Sequence, residues 1–218
     1  MDAREAITEV EPSHYGRKYD SKRRFLSYWH QIDEILSLDP KSVLEIGVGN
    51  GFVAKYLRDH GLAVTTLDID ERLHPDVVGS VTKLPFEEAS FELVMACEIL
   101  EHIPYEQAKE GLKEIHRVSS RGAVISLPDA TRTARIEFPI PKFGKVRKLF
   151  VIPKFFPHAH KITAHGHYWE IGKKGFPLKK VSDDIERAGF KIVKTYRVFE
   201  NPYHRFFVLE KVCPPKFS

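Results

Sequence analysis

A glycine-rich turn directly after a short apolar run constrains the fold of this chain more than any other feature. The segment 43–51 reads Val-Leu-Glu-Ile-Gly-Val-Gly-Asn-Gly. Its apolar residues predict a buried strand, while Gly47 and Gly49 allow positive φ angles and a close approach of the backbone to a ligand. Gly51 lets the next helix begin close to the turn, with its N-terminus facing that ligand. The segment therefore predicts a ligand-binding turn between a strand and a helix.

The patterns around this turn alternate between helix and strand. A helical pattern runs from Phe52 to the stop at His60-Gly61, and the β-branched run 63–69 predicts the second strand of a parallel βαβ unit with a right-handed crossover. Further patterns predict helices over 21–39, 105–118 and 178–188, and strands over 91–96, 123–127, 191–199 and 205–212. The alternation is typical of an α/β fold, and a turn at Asn201-Pro202 predicts that the last two strands form an antiparallel edge.

The length of the chain favours a single domain. Its 218 residues, of which 42% are hydrophobic, suffice for one substantial core. We expect an N-terminal arm and helix over 1–40, followed by one domain over 41–218. Four prolines punctuate the stretch after Pro128, and there we expect a lid-like insertion over about 129–166 in which regular structure is interrupted.

Composition argues against several classes of protein. The longest apolar runs, such as 91–97, are far shorter than the roughly 20 residues that a membrane-spanning helix needs. The N-terminal residues lack the apolar region of a secretory signal, so we expect a cytoplasmic protein. The only two cysteines, Cys97 and Cys213, argue against a disulfide framework and provide no metal-ligand spacing.

Two acidic residues narrow the choice of cofactor. Glu45 lies two residues before the first glycine, and Asp68 ends the second predicted strand, where a carboxylate can accept hydrogen bonds from both ribose hydroxyls. Phe52 stands where the dinucleotide fingerprint G-x-G-x-x-G requires glycine, which disfavours a nicotinamide or flavin dinucleotide. S-adenosylmethionine (SAM) has no pyrophosphate and carries a positive ammonium and a positive sulfonium, so it suits Glu45 better.

Four segments then occur in order at family-like spacing. They are 44–51, Asp68 within 66–70, Leu84-Pro85-Phe86 followed by 90–94, and Glu-Ile-Leu-Glu-His-Ile at 98–103. With these segments the chain resembles the class I SAM-dependent methyltransferases, in particular the ubiquinone-biosynthesis-like, or type 11, group. The resemblance covers 41–121 well. It implies a Rossmann-like three-layer sandwich with a mostly parallel seven-stranded sheet and an antiparallel C-terminal edge, and it implies methyl transfer from SAM that leaves S-adenosylhomocysteine.

The resemblance also implies the cofactor-binding residues. They are Glu45, Gly47, Gly49, Gly51, Asp68, Ile69, Ser80, Val81 and Cys97. Ile69 would flank the adenine, and Cys97 would lie near the methionine part of SAM. The chain departs from the family at Ser80, where relatives usually carry an aspartate that receives the adenine amino group. A serine can still accept one hydrogen bond, so we expect weaker affinity and not loss of binding.

Histidines supply the candidates for acceptor chemistry. We predict His102 as the base, with helix packing or capping as the alternative, and His165, His167 and Tyr168 as residues of the acceptor pocket. Tyr168 has core packing as its alternative. The pairs His158-Ala-His160 and His165-Gly-His167 fit no established zinc spacing, so we expect no metal.

The insertion is strongly basic and aromatic. Between Arg132 and Lys180 twelve Lys or Arg face two acids, although the whole chain has a net charge of only +4. Five phenylalanines of the insertion are interleaved with these lysines and arginines. The pattern is compatible with a lid over a small anionic acceptor, peripheral contact with a lipid surface, nucleic-acid binding, or a solvated loop whose rings pack into the core. The absence of a recognised RNA-binding module disfavours nucleic acid.

The sequence thus predicts a SAM-dependent methyltransferase that acts on a small-molecule or lipid-like acceptor. A SAM-binding regulatory protein without catalysis stays open, because of Ser80 and because methyl transfer demands no fixed catalytic residue. A nicotinamide-dependent oxidoreductase is the third hypothesis, which Phe52 and Glu45 oppose.

Overall fold

The computed structural model describes residues 19–140, 144–152, 162 and 166–212. Nine strands lie in this part of the chain: β1 (Ser42–Ile46), β2 (Ala63–Asp68), β3 (Val77–Val78), β4 (Phe91–Cys97), β5 (Ser119–Pro128), β6 (Thr133–Ile140), β7 (Gly144–Val151), β8 (Phe190–Arg197) and β9 (His204–Lys211). Seven of them form one sheet in the order β3-β2-β1-β4-β5-β9-β8. The first five are parallel, whereas β9 is antiparallel to both β5 and β8. The predicted seven-stranded sheet with an antiparallel C-terminal edge is confirmed.

Helices cover both faces of this sheet. They are α1 (Lys22–Leu38), α2 (Phe52–Asp59), α3 (Tyr105–Val118) and α4 (Leu178–Arg187), together with short 3-10 turns at Glu71–Leu73 and Leu100–His102. Successive side chains of a strand point to opposite faces, and Val43 of β1 packs with α1 and α2 while Leu44 packs with α3 and α4. The result is the expected three-layer sandwich.

Helix α1 has clear signals at both ends, which explains why its sequence pattern predicted it. The Ser21 side chain caps the first turn by accepting a hydrogen bond from the Arg24 amide at 3.4 Å. Asp39 ends the helix in the left-handed conformation, with φ of 47°. Between these ends Tyr28, Ile32 and Ile35 are buried against the sheet. The helix therefore packs on the face of the sheet, and its N-terminal end lies near the glycine turn, Gly47–Gly51.

The close pairing of β5 and β9 depends on one glycine. A Cβ atom at Gly122 would lie 1.9 Å from the backbone oxygen of Leu209, so no larger residue fits there without a shift of the backbone. Gly122 pairs with Glu210 in the antiparallel register. This pairing holds the C-terminal strands against the parallel part of the sheet.

The predicted insertion contains a regular antiparallel hairpin, which corrects the expectation of interrupted regular structure. Strand β6 pairs with β7 from Thr133–Val151 to Ile140–Gly144, and the two strands form a separate sheet. Pro139 does not prevent the pairing, because a two-stranded sheet has only edge strands, where proline is tolerated. Lys142, Phe143, Lys154, Phe155, Phe156, His158, His160 and Lys161 of the predicted insertion lie outside the described residues.

No helix in the described ranges is long and apolar enough to cross a membrane.

Candidate functional site

The main cavity opens at the carboxyl ends of β1, β2 and β4, on the side where the glycine turn leaves β1. Parallel α/β sheets bind ligands at this edge, because loops from neighbouring strands converge there. Residues from four parts of the chain line the cavity: Tyr19, Arg24, Tyr28 and Gln31; Glu45 to Asn50 with Val53; Leu67 to Asp70 with Leu73 and Gly79 to Val81; and Cys97 to Ile99 with His102 and Ile103.

The glycine turn has the geometry that its sequence predicts. Gly47, Gly49 and Gly51 have φ angles of 87°, 56° and 71°. A Cβ atom at Gly47 would lie 2.0 Å from the side chain of Ile99, so this position needs glycine for space as well as for its backbone conformation. Gly51 stands before the first residue of α2 and does not line the main cavity, unlike the other two.

Glu45 is a buried acid in the wall of the cavity. Its Oε2 atom has no hydrogen-bond partner among the described residues, although the residue is only 4% exposed. Burial raises the pKa of Glu45 to about 8, against the lowering effects of Arg58 and of the Ala54 amide. A cationic ligand group beside Glu45 would therefore stabilise the ionised carboxylate, which burial deprives of water.

Asp68 connects the second strand to the glycine turn. Its Oδ2 atom accepts a hydrogen bond from the Val48 amide at 2.9 Å, and its Oδ1 atom accepts one from the Asp70 amide at 3.0 Å. Burial raises the pKa of Asp68, while these backbone amides lower it. Each carboxylate oxygen keeps further acceptor capacity. Asp68 can therefore hold the turn in place and still accept hydrogen bonds from a ligand.

The remaining residues predicted for the cofactor lie in the same cavity. Ile69, Ser80, Val81 and Cys97 all line it. The Ser80 hydroxyl lies 2.9 Å from that of Thr82 and accepts the Thr82 amide at 3.3 Å, so part of its capacity is used within its own turn. Burial raises the pKa of the Cys97 thiol, which keeps this cysteine protonated.

The N-terminal segment contributes residues that the sequence analysis missed. Arg24, Tyr28 and Gln31 reach the cavity from α1, and Tyr19 precedes them. The Asp20 carboxylate joins this segment to the glycine turn, since it accepts hydrogen bonds from Tyr28 at 3.1 Å and from the Asn50 amide group at 2.8 Å. The helical spacing of α1 predicted its buried face, but nothing in that pattern indicated a ligand.

A second group of polar side chains lies beyond the end of β4. We call Glu98, Glu101, His102, His167, Glu170, Tyr203 and His204 the buried polar cluster, after its four buried members. Glu98 and His102 are half-buried, and Tyr203 is 37% exposed. Glu98 begins the buried polar cluster in a left-handed conformation with φ of 57°, which is unusual for a residue with a side chain. Its carboxylate accepts the Ser126 hydroxyl at 2.8 Å and lies 3.7 Å from His204. This strained turn directs an acid toward the cavity that Glu98 lines.

The centre of the buried polar cluster combines Glu101, His102 and His167. One ligand atom of each lies within 4.8 Å of the others, and the two imidazole rings meet edge to face at 4.8 Å. Both carboxylate oxygens of Glu101 are buried without a hydrogen-bond partner in the part of the chain that the structure describes. Burial and the nearby Glu98 carboxylate raise the pKa of Glu101 well above its usual range.

Glu170 and Tyr203 support His167 from behind. The His167 Nδ1 atom lies 3.2 Å from Glu170 Oε1, and the Tyr203 hydroxyl donates to the same oxygen at 2.7 Å. Burial raises the pKa of Glu170, but these hydrogen bonds hold it below its usual value. Of the residues predicted for the acceptor pocket, His167 is buried beside His102, and Tyr168 is half-buried with its amide donating to the backbone carbonyl oxygen of Glu101. His165 lies outside the described residues.

Comparison with known proteins bears directly on this site. A family model described as a methyltransferase domain matches residues 44–127, which hold the glycine turn, Asp68 and the acids after β4. Over these residues the chain carries a methyltransferase domain. It is therefore a methyltransferase whose cofactor is SAM, as the resemblance implied. No curated protein matches the sequence.

Solved structures share the fold at low sequence identity. The 1,6-didemethyltoxoflavin-N1-methyltransferase of Burkholderia thailandensis has a TM-score of 0.59 and 16% identity, over 93% of this chain and 85% of that one. A SAM-dependent methyltransferase from Clostridium acetobutylicum has a TM-score of 0.60 and 9% identity, over 92% and 96%. One from Aquifex aeolicus has a TM-score of 0.56 and 16% identity, over 94% and 100%. At such identities the likeness concerns the fold alone.

Proposed function

We propose that the main cavity binds SAM and that the methyl group passes to a small-molecule or lipid-like acceptor held beside the buried polar cluster. The observation that carries this proposal is the unpaired Oε2 atom of Glu45 in a cavity bounded by the glycine turn. A buried carboxylate oxygen without a partner is costly, and a cationic ligand removes that cost. A neutral donor would satisfy the oxygen without favouring its ionised form, and an anionic ligand would be repelled by it.

The charges around the cavity fit the two ends of the cofactor. Glu45 would face the positive ammonium or sulfonium, and Arg24 from α1 would pair with the carboxylate of the amino acid part. Asp68 would accept the ribose hydroxyls with the capacity that Val48 and Asp70 leave. Ile69 and Val81 would flank the adenine, with Ser80 as an acceptor at its edge.

Bound SAM supplies an activated methyl group on a positive sulfonium, so the protein mainly has to position the acceptor. Gly47 and Gly49 give the backbone its close approach, while Ile99 and Cys97 line the inner side of the cavity. Asp20 joins α1 to the glycine turn through its hydrogen bonds with Tyr28 and Asn50. His102 lines the cavity from the other side, where it would face the acceptor.

Calorimetric titration with SAM, S-adenosylhomocysteine and NADH tests the cofactor assignment. We expect micromolar binding of the first two ligands and a loss of at least about tenfold in the variant Asp68→Ala, because a charge-assisted hydrogen bond contributes about 1.5–3 kcal/mol. Asp59→Ala is the matched control, since Asp59 is an exposed aspartate that pairs with Lys55 on α2. Full affinity in Asp68→Ala would refute the site assignment, and tighter binding of NADH would favour the oxidoreductase hypothesis.

Turnover distinguishes the enzyme from a regulatory SAM-binding protein. Release of S-adenosylhomocysteine in the presence of a panel of hydroxylated and amphiphilic acceptors is the expected result. SAM binding with no turnover on any acceptor class would support the regulatory alternative.

A second proposal concerns a lipid surface, and the hairpin of β6 and β7 supports it. Residues opposite one another in an antiparallel pair lie on the same face, so Ile136, Phe138, Ile140 and Phe150 share one face. All four are between 37% and 48% exposed. Apolar side chains with this exposure on one face of a hairpin are typical of an interaction surface.

The opposite face of the hairpin is charged and lies against the body of the protein. Arg135 donates to the Glu200 backbone oxygen at 3.0 Å, and Arg147 donates to the Glu200 carboxylate at 2.7 Å. The apolar face is therefore turned away from this contact. Lys148, opposite Ile136, lies at the apolar face. Apolar rings with adjacent lysine suit insertion at an anionic membrane surface, where a lipid-like acceptor would be found.

Co-sedimentation with phosphatidylcholine vesicles, with and without phosphatidylserine, tests this contact. We expect binding that increases with phosphatidylserine and falls about tenfold or more in the double variant Phe138→Ser/Phe150→Ser. Val193→Ser is the control, because Val193 is an exposed apolar residue on β8. Equal losses in the control and the double variant, or no vesicle binding at all, would contradict a role of the hairpin at membranes.

A further inference from the structure

The buried polar cluster has a centre that the methyltransferase assignment leaves without a role. Glu101 is fully buried, and within the described residues neither of its oxygens is hydrogen-bonded. The nearby acids Glu98 and Glu170 disfavour its ionised form, whereas the Arg24 guanidinium favours it. Glu98 accepts the Ser126 hydroxyl and Glu170 accepts that of Tyr203. Glu101 has no such donor among the described residues, so its buried carboxyl group needs compensation from elsewhere.

We propose that Glu101, His102 and His167 bind one divalent transition-metal ion beside the SAM cavity. Their ligand atoms lie within 4.8 Å of one another, close enough to share a single ion after small side-chain adjustments. Two imidazoles and one carboxylate form a donor set that zinc, manganese or iron accepts, whereas magnesium and calcium prefer oxygen alone. Three protein ligands leave an open coordination position, as in catalytic metal sites.

The surroundings of His167 resemble those of a metal ligand. Its Nδ1 atom lies against the Glu170 carboxylate, which holds the ring beside Glu101 and His102. Tyr203 holds Glu170 in turn through its hydroxyl. Histidines that bind metals usually have such a carboxylate on the second nitrogen, because it orients the ring and increases its basicity.

The position of the site suggests what the ion would do, and this step rests on the proposed function. His102 lines the cavity, so an ion on its ring would lie on the acceptor side. There it would hold the oxygen of an acceptor hydroxyl and favour loss of its proton to solvent water. The oxygen–carbon bond to the methyl group then forms as the carbon–sulfur bond breaks, which leaves a neutral thioether. A ring nitrogen that ligates an ion cannot also take the proton, so this role replaces the base predicted for His102.

Metal titration of chelator-treated protein tests the site without reference to turnover. We expect one Mn²⁺ or Zn²⁺ per chain by calorimetry and by elemental analysis, and at least tenfold weaker binding in Glu101→Gln and in His167→Ala. Glu106→Gln and His60→Ala are matched controls, because both residues are exposed and lie outside the cluster. Mg²⁺ should bind more weakly than either transition metal.

Two further measurements keep the outcomes distinct. Circular dichroism shows whether the variants fold. If one of them does not, the metal titration of His102→Ala replaces it, and the same loss of metal affinity is expected. Titration with S-adenosylhomocysteine in the absence of metal tests the cofactor site separately. If the protein binds the cofactor but takes up no stoichiometric metal in the metal titration, this inference is overturned and the proposed function stays intact. Metal binding that is equally strong in the cluster variants and in the controls would also overturn it, since the ion would then lie elsewhere.

Discussion

The glycine turn and the buried polar cluster lie on two sides of one cavity, yet they are built in different ways. The glycine turn is local, since its residues lie within five positions and its partner Asp68 ends the next strand. The buried polar cluster joins the ends of β4 and β5, residues before α4 and the turn between β8 and β9. The comparison teaches that the glycine turn is set by one short segment, whereas the proposed acceptor side depends on residues that lie far apart in the sequence.

The largest expected effect tests the local side of this comparison. Gly47→Ala should weaken S-adenosylhomocysteine binding about 100-fold, which corresponds to about 2.7 kcal/mol. The new Cβ atom would meet Ile99 at 2.0 Å, and the φ angle of 87° would be strained, so the turn that lines the cavity has to move. Calorimetry measures the affinity.

Gly61→Ala is the control for Gly47→Ala. Gly61 has a nearly identical φ angle of 86°, but no atom lies within 4 Å of its Cβ position. We expect a loss of about 1–2 kcal/mol in the free energy of unfolding and unchanged cofactor affinity. If both variants bind the cofactor equally well, the glycine turn does not form the site.

Proton linkage at Glu45 gives the next effect. Because the pKa of Glu45 is about 8 and a cationic ligand favours its ionised form, SAM binding should strengthen by up to about tenfold per pH unit between pH 6 and 7.5. Glu45→Gln should remove this dependence. Calorimetry in buffers with different ionisation enthalpies detects the accompanying proton release, and equal pH profiles in both proteins would contradict the role of Glu45.

Glu45 also makes the free energy of unfolding of the ligand-free protein depend on pH. The folded-state pKa lies above the unfolded value of 4.5, so the folded chain binds the extra proton between these two values. The contribution of Glu45 to stability is therefore fully present below pH 4.5 and is lost as the pH rises toward 8. Urea unfolding at pH 5 and pH 8 should show a smaller difference in Glu45→Gln than in the unchanged protein.

These differences explain how much the sequence could predict. The glycine turn, Asp68 and the strands around them follow from period, glycine spacing and acid position, and the structure confirms the sheet that they imply. Arg24 was missed because a helix pattern shows which face is buried but not what lies beyond its end. The hairpin of β6 and β7 was missed because prolines usually indicate a loop. They are tolerated in edge strands, and both strands of this hairpin are edge strands.

The centre of the buried polar cluster was beyond a sequence-based prediction for another reason. Glu101 and His102 are adjacent in a family segment, but His167 lies more than sixty residues later and follows the hairpin. The histidine spacing and the lack of a neighbouring cysteine predicted no metal, because structural zinc patterns have closely spaced ligand pairs. The segment around His167 is held there by backbone contacts of Tyr168 with Glu101 and of Ile171 with the end of β5.

A tyrosine tests the assembled side of the comparison. Tyr203→Phe removes the hydroxyl that donates to Glu170 at 2.7 Å, while the ring can stay in place. We expect metal affinity to fall about tenfold, as for loss of a residue behind a ligand, with unchanged affinity for S-adenosylhomocysteine. Tyr56→Phe is the control, since Tyr56 is an exposed tyrosine on α2. A parallel loss of cofactor affinity would show that the two sides of the cavity are not independent.

The smallest effect concerns the departure from the family at Ser80. Ser80→Asp should strengthen SAM binding by roughly twofold to tenfold, because one added hydrogen bond to the adenine amino group is worth about 0.5–1.5 kcal/mol. Ser90→Asp adds the same charge at an exposed position as the control. Unchanged affinity would show that the new carboxylate accepts the Thr82 amide hydrogen bond, as Ser80 does now, and does not contact the adenine. A gain specific to Ser80→Asp would place the adenine at this turn, and it would show that the serine limits affinity without abolishing the site.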